Sequence, residues 1–260
     1  MRIVIKIGTS TLAYPGGRLN IRHTEELVKT FSDLKNAGHE LVLVSSGAIG
    51  MGAGKLQIDR PQDMPTKQAA AAVGQCELMY TYDRLFTDYS HPVAQILVTQ
   101  EDFNSPRRLG NLQNTLYRLL QLRVVPIINE NDTVATEEIS VGDNDTMAAL
   151  VAKYIQADLL VLLSDIDGLY TADPHTHPEA ELIPEVRAVT PELEALAGGA
   201  GSKLGTGGMA TKLTAAKLAT GAGVDMVIAN GADPMLLYDI VAGRRAGTRF
   251  LGRRKKEELT

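Results

Sequence analysis

Lys6 interrupts the apolar run Ile3–Ile7. A lysine is rarely buried in such a run unless it is paired. Two readings stay open: the run is an edge strand whose lysine reaches water, or the ammonium group is held there for an anion. The residues that follow, Gly8-Thr9-Ser10, offer backbone donors beside it. A second cationic group comes late in the chain, where Gly205-Thr206-Gly207-Gly208-Met209-Ala210-Thr211-Lys212 opens a helical pattern. Its glycines admit a close backbone approach, a helix start presents free N–H groups, and Lys212 lies one turn in. Both segments suit an anion such as a phosphate. Between them lie Ser45-Ser46-Gly47-Ala48, Asn129-Glu130-Asn131-Asp132, Gly142-Asp143-Asn144-Asp145 and Ser164-Asp165. These supply small hydroxyls, amides and clustered carboxylates, which could hold a divalent cation or attract an ammonium group.

Some familiar patterns do not apply. Gly205–Ala210 matches G-x-G-x-x-A, with Asp225 twenty residues past Gly205, but no strand precedes it, as a dinucleotide fingerprint requires. Gly54-Lys55 is followed by Leu56, so there is no Walker A motif. His175-Thr176-His177 lacks a partner at a metal-ligand spacing and reads as surface loop. No residue is assigned as a metal ligand.

The elements that must position these groups alternate between short apolar runs and longer helical ones. Strands are expected at Ile3–Ile7, Leu41–Val44, Val93–Val98, Val124–Ile128, Leu159–Leu163 and Val224–Ile228. Helices are expected around Leu27–Leu34, at Thr66–Leu85, Arg107–Leu120, Thr146–Ile155 and Met209–Thr220, and at Pro234–Val241 with Pro234 in its first turn. Asp165–Pro184 reads as an irregular or hairpin excursion. Alternating strands and helices imply crossovers, hence an α/β fold: a three-layer α/β/α sandwich with a mostly parallel central sheet. Ligands of such sheets bind outside the carboxyl ends of the strands, where the polar segments fall. Cys76, the Ala69–Val73 run, and Met79 with Tyr80 and Tyr82 are expected to be core packing.

The 260 residues are 44% hydrophobic and 22% charged, so the chain can bury a substantial core. The net charge of −5 argues against a general nucleic-acid binder. A single cysteine fits a reducing compartment, and no apolar run is long enough for a signal or a membrane span. A cytoplasmic protein is expected, with no membrane or nucleic-acid partner.

Taken together, these residues resemble the amino acid kinase superfamily and, within it, the glutamate 5-kinase family. The motifs that carry the resemblance are Val4–Ser10, Ser46–Ile49, Ile128–Asp132, Val141–Asp145, Gly168–Pro174 and Gly205–Met209. It spans about Ile3 to Phe250. It implies ATP-dependent phosphorylation of the γ-carboxylate of L-glutamate to L-glutamyl 5-phosphate, the first step of proline biosynthesis, with Mg²⁺ carried by the nucleotide and feedback inhibition by proline. By resemblance, Lys6 and Lys212 contact the phosphates and stabilise the transferring phosphoryl group, and Asp145 orients both lysines. Ser46, Asp132 and Asn144 match glutamate-binding positions, with Asn129 and Asp143 as helpers. Ser164, Asp165, Thr206, Gly207, Gly208, Met209, Ala210, Thr211 and Lys212 match the ATP site, together with Lys6. Ser164 stands where relatives often carry threonine, and the hydroxyl is kept. Many family members continue into a C-terminal PUA domain, whereas this sequence stops at Thr260. The implied organisation is a kinase domain over 1–252, with a glutamate-binding N-lobe and an ATP-binding C-lobe, and a charged tail over 253–260. The resemblance also implies a homodimer or homotetramer.

A carboxylate nucleophile is already ionised at neutral pH, so no general base is needed. That agrees with a cluster of lysines, acids and amides lacking an activating histidine. Two alternatives remain at this point: a sibling kinase acting on acetylglutamate, aspartate, carbamate or UMP, or a non-catalytic nucleotide-binding regulator. The acidic, amide-rich loops favour a substrate with a free ammonium group, which acetylglutamate lacks. Retention of both lysines argues against a pure regulator.

Overall fold

In the computed structural model, which describes residues 1–14, 16–59, 61–134, 144–174, 176–197 and 208–253, the order of elements is that of a layered α/β protein. β1 (Arg2–Ile7) is followed by a single turn, α1 (Thr9–Leu12), and by α2 (Ile21–Asn36). Asn20 starts α2 by accepting a hydrogen bond from the His23 N–H. β2 (Glu40–Ser45), α3 (Ala48–Leu56), α4 (Met64–Thr87), β3 (Val93–Val98), α5 (Gln100–Asn104), α6 (Pro106–Gln121) and β4 (Val125–Glu130) come next. Then follow α7 (Asn144–Tyr154), β5 (Leu159–Ser164), β6 (Glu185–Val186), α8 (Pro191–Ala197), α9 (Met209–Gly221), β7 (Asp225–Asn230), α10 (Leu236–Val241) and β8 (Thr248–Phe250).

The strands form one eight-stranded sheet in the order β3-β4-β2-β1-β5-β7-β8-β6. The six strands from β3 to β7 in that order run parallel, and β8 pairs antiparallel with β7. β1 therefore lies in the middle of the sheet, and the edge-strand reading of Lys6 is set aside: the residue is 8% exposed.

Side chains alternate across a strand, so each strand feeds two cores. Ile3, Ile5 and Ile7 of β1 pack with Leu27 and Phe31 of α2 and with Leu78 and Tyr82 of α4. Val4 faces the opposite layer, with Met147 and Val151 of α7 and Leu213 and Ala216 of α9. Period two places Lys6 on the Val4 face. The sheet thus aims one lysine of the central strand at the layer that carries α7 and α9.

Four differences from the sequence reading concern how elements begin and what they expose. The sequence reading assigns no helix to residues 45–52. They end a strand and open α3, whose entry needs Gly47 at φ 103°. α7 begins at Asn144 rather than Thr146, so Asn144 and Asp145 form its first turn. α10 begins at Leu236, with Pro234 in the turn before it. Cys76 and Tyr80 are exposed on the outer side of α4, and Met79 is half-buried. The apolar stretch of α4 is broader than its buried stripe, which runs through Ala71, Gln75, Leu78, Tyr82 and Leu85. Tyr170 and Leu182 form an antiparallel bridge within Asp165–Pro184, as an excursion of hairpin type requires.

α3 and α4 cross in direct backbone contact. A Cβ on Gly52 would lie 1.8 Å from the Ala70 carbonyl oxygen, and one on Gly74 would lie 1.8 Å from that of Ala48. This approach seats the start of α3 against the middle of α4, beside the ends of β2 and β4.

Candidate active site

Asp145 is the hub. It stands in the first turn of α7, where the helix dipole favours a carboxylate, and it is fully buried. Lys6 Nζ lies 2.7 Å from one carboxylate oxygen, and Lys212 Nζ lies 3.0 Å from the other. Lys212 is one turn into α9 and only 3% exposed. Burial pushes the Asp145 pKa up, but the two ammonium groups and their hydrogen bonds outweigh burial and hold it below the usual carboxylate range. The Thr211 hydroxyl lies 3.3 Å from the same oxygen that meets Lys212. Three residues spread over more than 200 positions of sequence thus share one carboxylate.

An amide network adjoins this hub. Asn144, the neighbour of Asp145, turns its Nδ2 toward Ser46 Oγ at 2.7 Å, Asn129 Oδ1 at 3.2 Å and the Ser45 carbonyl at 3.3 Å. Asn129, 2% exposed at the end of β4, accepts from the Glu130 N–H at 2.9 Å and donates to Gln75 Oε1 at 2.9 Å. Below them Ser45 Oγ meets the Tyr82 hydroxyl at 3.0 Å, and burial raises the Tyr82 pKa. A small pocket follows, lined by Ala48, Gln75, Glu130 and Asp132 among others. There the Asp132 pKa is pushed up to about 6, first by burial and then by the charge of Glu130.

The ends of β1, β5 and β7 open on a separate cleft of ≈ 380 Å³. Its lining includes Ser10, Thr11, Ser164, Asp165 and Asn230. Ser164 Oγ donates to Asp165 Oδ1 at 3.1 Å, and the Ser164 carbonyl accepts from the Gly231 N–H at 2.7 Å. α9 starts at Gly208 with no side-chain cap, which leaves first-turn N–H groups for an anion. Met209, Ala210, Thr211 and Lys212 form its opening turn.

The structure brings together Lys6, Asp145 and Lys212 in one group, and Ser46, Asn129 and Asn144 in an adjoining one. Asp132 lines the pocket beside them, and Ser164 and Asp165 line the separate cleft. Asp143, Thr206 and Gly207 lie outside the described residues, as do His175 and the tail beyond Arg253. Sequence reasoning missed Gln75. Its signal was the one that marked Lys6: a polar residue on a stripe whose period calls for an apolar one.

The amino acid kinase family profile matches residues 1–230, and the chain belongs to the amino acid kinase family. Among curated relatives it is 53% identical to the glutamate 5-kinase of Clostridium tetani, over 95% of this chain and 93% of that protein. It is 50% identical to the glutamate 5-kinase of Listeria innocua serovar 6a, over 100% of this chain and 95% of that protein. The fold is shared with carbamate kinase from Giardia lamblia bound to AMP-PNP, at TM-score 0.69 and 19% identity over 96% of this chain and 98% of that one. It is also shared with UMP kinase from Bacillus anthracis, at TM-score 0.67 and 15% identity over 97% and 96%. No helix among the described residues is long and apolar enough to cross a membrane.

Proposed function

We propose that this chain transfers the γ-phosphoryl group of Mg·ATP to the γ-carboxylate of L-glutamate, giving ADP and L-glutamyl 5-phosphate. The observation that carries this reading is the convergence of Lys6 and Lys212 on Asp145 at the carboxyl end of the sheet, in a chain about half identical to glutamate 5-kinases. The obstacle to the reaction is electrostatic: an anion must approach an anionic phosphate. At about 4 Å and an effective dielectric near 20, each pair of unit charges repels by ~4 kcal/mol. Two preorganised ammonium groups, the Mg²⁺ that arrives with the nucleotide, and the α9 N–H groups offset that repulsion. Phosphoryl transfer asks mainly for such positioning and charge stabilisation. Asp145 acts through the lysines, as their positioning residue. The nucleotide occupies the side of Ser164, Asp165 and α9, and glutamate the side of Ser46, Asn129, Asp132 and Asn144. This division corresponds to a glutamate-binding N-lobe and an ATP-binding C-lobe. Proline, which shares the α-carboxylate and ammonium of glutamate, competes at the amino acid side.

The test is to trap the acyl phosphate with hydroxylamine. Glutamate with Mg·ATP gives the hydroxamate, acetylglutamate does not, and proline suppresses the signal. No hydroxamate from glutamate would overturn the reading, and a stronger signal from another acceptor would redirect it to a sibling kinase.

Asp132 serves the substrate ammonium in this scheme, and only its ionised form attracts a cation. With its pKa at about 6, kcat/KM for glutamate declines as pH falls through 6. Free glutamate has no group titrating there. Asp132→Asn raises the glutamate KM, leaves kcat nearly unchanged, and removes the part of the acid limb that separates the two enzymes. ATP titration is common to both enzymes and cancels in the comparison. Loss confined to kcat removes Asp132 from this role.

A further inference from the structure

We infer that Gln75 is a specificity-determining residue whose side-chain Nε2 donates a hydrogen bond to the α-carboxylate of the amino acid substrate; this rests on the function proposed above. Gln75 is 8% exposed, and its Nε2 is buried with no hydrogen-bond partner among the described residues. A buried donor left unpaired is costly, so its retention calls for a partner.

Which end of this amide is free follows from donor and acceptor chemistry alone. The backbone N–H of Glu130 is a donor, so the Asn129 atom it meets is the oxygen. The other Asn129 atom is then the nitrogen, a donor, and the Gln75 atom facing it is the oxygen. Gln75 is thereby obliged to present N–H groups elsewhere, and it lines the pocket that holds Asp132 and Glu130. Asn144 is set the opposite way. Its nitrogen faces two acceptors, the Ser45 carbonyl and Asn129 Oδ1, so its buried and unpartnered atom is the oxygen. The amide network ends in one fixed donor and one fixed acceptor, with carboxylates nearby. That pattern complements a zwitterion: the acceptor and Asp132 suit its ammonium group, and the Gln75 donor suits its carboxylate.

The order of contacts decides which carboxylate. From the lysines the path runs through Asp145 and its neighbour Asn144 to Asn129, then to Gln75. Gln75 is the last member of this path, counted from the lysines. The γ-carboxylate must reach the lysines, so the α-carboxylate is the group left for Gln75.

The test compares glutamate with its α-amide, which keeps the γ-carboxylate, in wild-type and Gln75→Glu enzymes. The glutamate side chain can still accept from Asn129 but offers an acceptor in place of the free donor. Expected results are a glutamate KM raised at least ~10-fold, with kcat within ~3-fold and the ATP KM unchanged. The preference for glutamate over the α-amide falls at least ~10-fold. Gln75→Met, similar in length and uncharged, raises the KM and lowers the same preference. An unchanged KM and preference in either folded variant overturns the inference. So does a wild-type enzyme that favours glutamate over its α-amide less than twofold, a measurement that needs no variant. A wild-type enzyme that yields no hydroxamate from glutamate instead overturns the function on which the inference rests.

Discussion

Lys6→Ala and Lys212→Ala each lower kcat by at least ~10²-fold at saturating ATP and glutamate, the scale of losing one preorganised charge donor. The loss falls on kcat because both ammonium groups serve the phosphoryl group in transit, where charge spreads over oxygens that the ground state presents differently. Each lysine is held from behind. Lys6 is anchored by a central strand and Lys212 by the first turn of α9, and both meet the same carboxylate at 2.7 and 3.0 Å. Arginine is a poor replacement at either position, since a planar fork cannot occupy the place of a compact ammonium. The two losses are not additive, because either variant already leaves the transferring group unevenly braced. Steady-state ADP release checks this. Near-normal kcat in both single variants would remove the lysines from the chemistry.

Asp145→Asn gives the largest combined effect, on activity and on stability. The side chain is wholly buried, and two buried ammonium groups depend on it. Removing one member of a buried ion pair costs roughly 3–5 kcal/mol, because the partner charge is left without compensation. Activity falls with it, since the lysines lose the group that fixes their positions. The pH dependence has a definite sign. The folded pKa of Asp145 lies below its unfolded value, so the unfolded chain binds more protons between the two. The stabilisation is present above the ordinary carboxylate range and is lost as pH falls through the depressed folded value. Urea unfolding at neutral pH therefore separates wild type from Asp145→Asn widely, and the gap narrows toward pH 4 and below. A constant gap, or one that widens in acid, would show that the carboxylate is not held ionised by the lysines.

The same type of signal was informative at two positions and was followed at only one. Lys6 broke an apolar strand, and the glycine segment after it drew attention to an anion. Gln75 broke the buried stripe of α4, but the surrounding alanines concealed the stripe's direction. The same α4 sequence led to Cys76 and Tyr80 being placed in the core. A helix rich in alanine carries a weak amphipathic pattern, and its orientation comes from the helix it packs against. Here α3 settles the matter, through the backbone contact at Gly52 and Gly74.

Sequence alone determined the alternation of strands and helices, and with it the parallel sheet and the end of the sheet where polar groups gather. Local periodicity and Gly-rich turns are sufficient for that, because both act over a few residues. It also supplied the residue types that suit an anion and a zwitterion. Strand order was decided only in three dimensions, since neighbours in this sheet are often distant in sequence and pair through long crossovers. That order put Lys6 in the interior rather than at an edge. The direction of each amide was likewise decided by contacts, because an isolated asparagine or glutamine offers donor and acceptor equally. Only when Glu130, Asn129 and Gln75 are brought into one chain of hydrogen bonds does a single free donor remain.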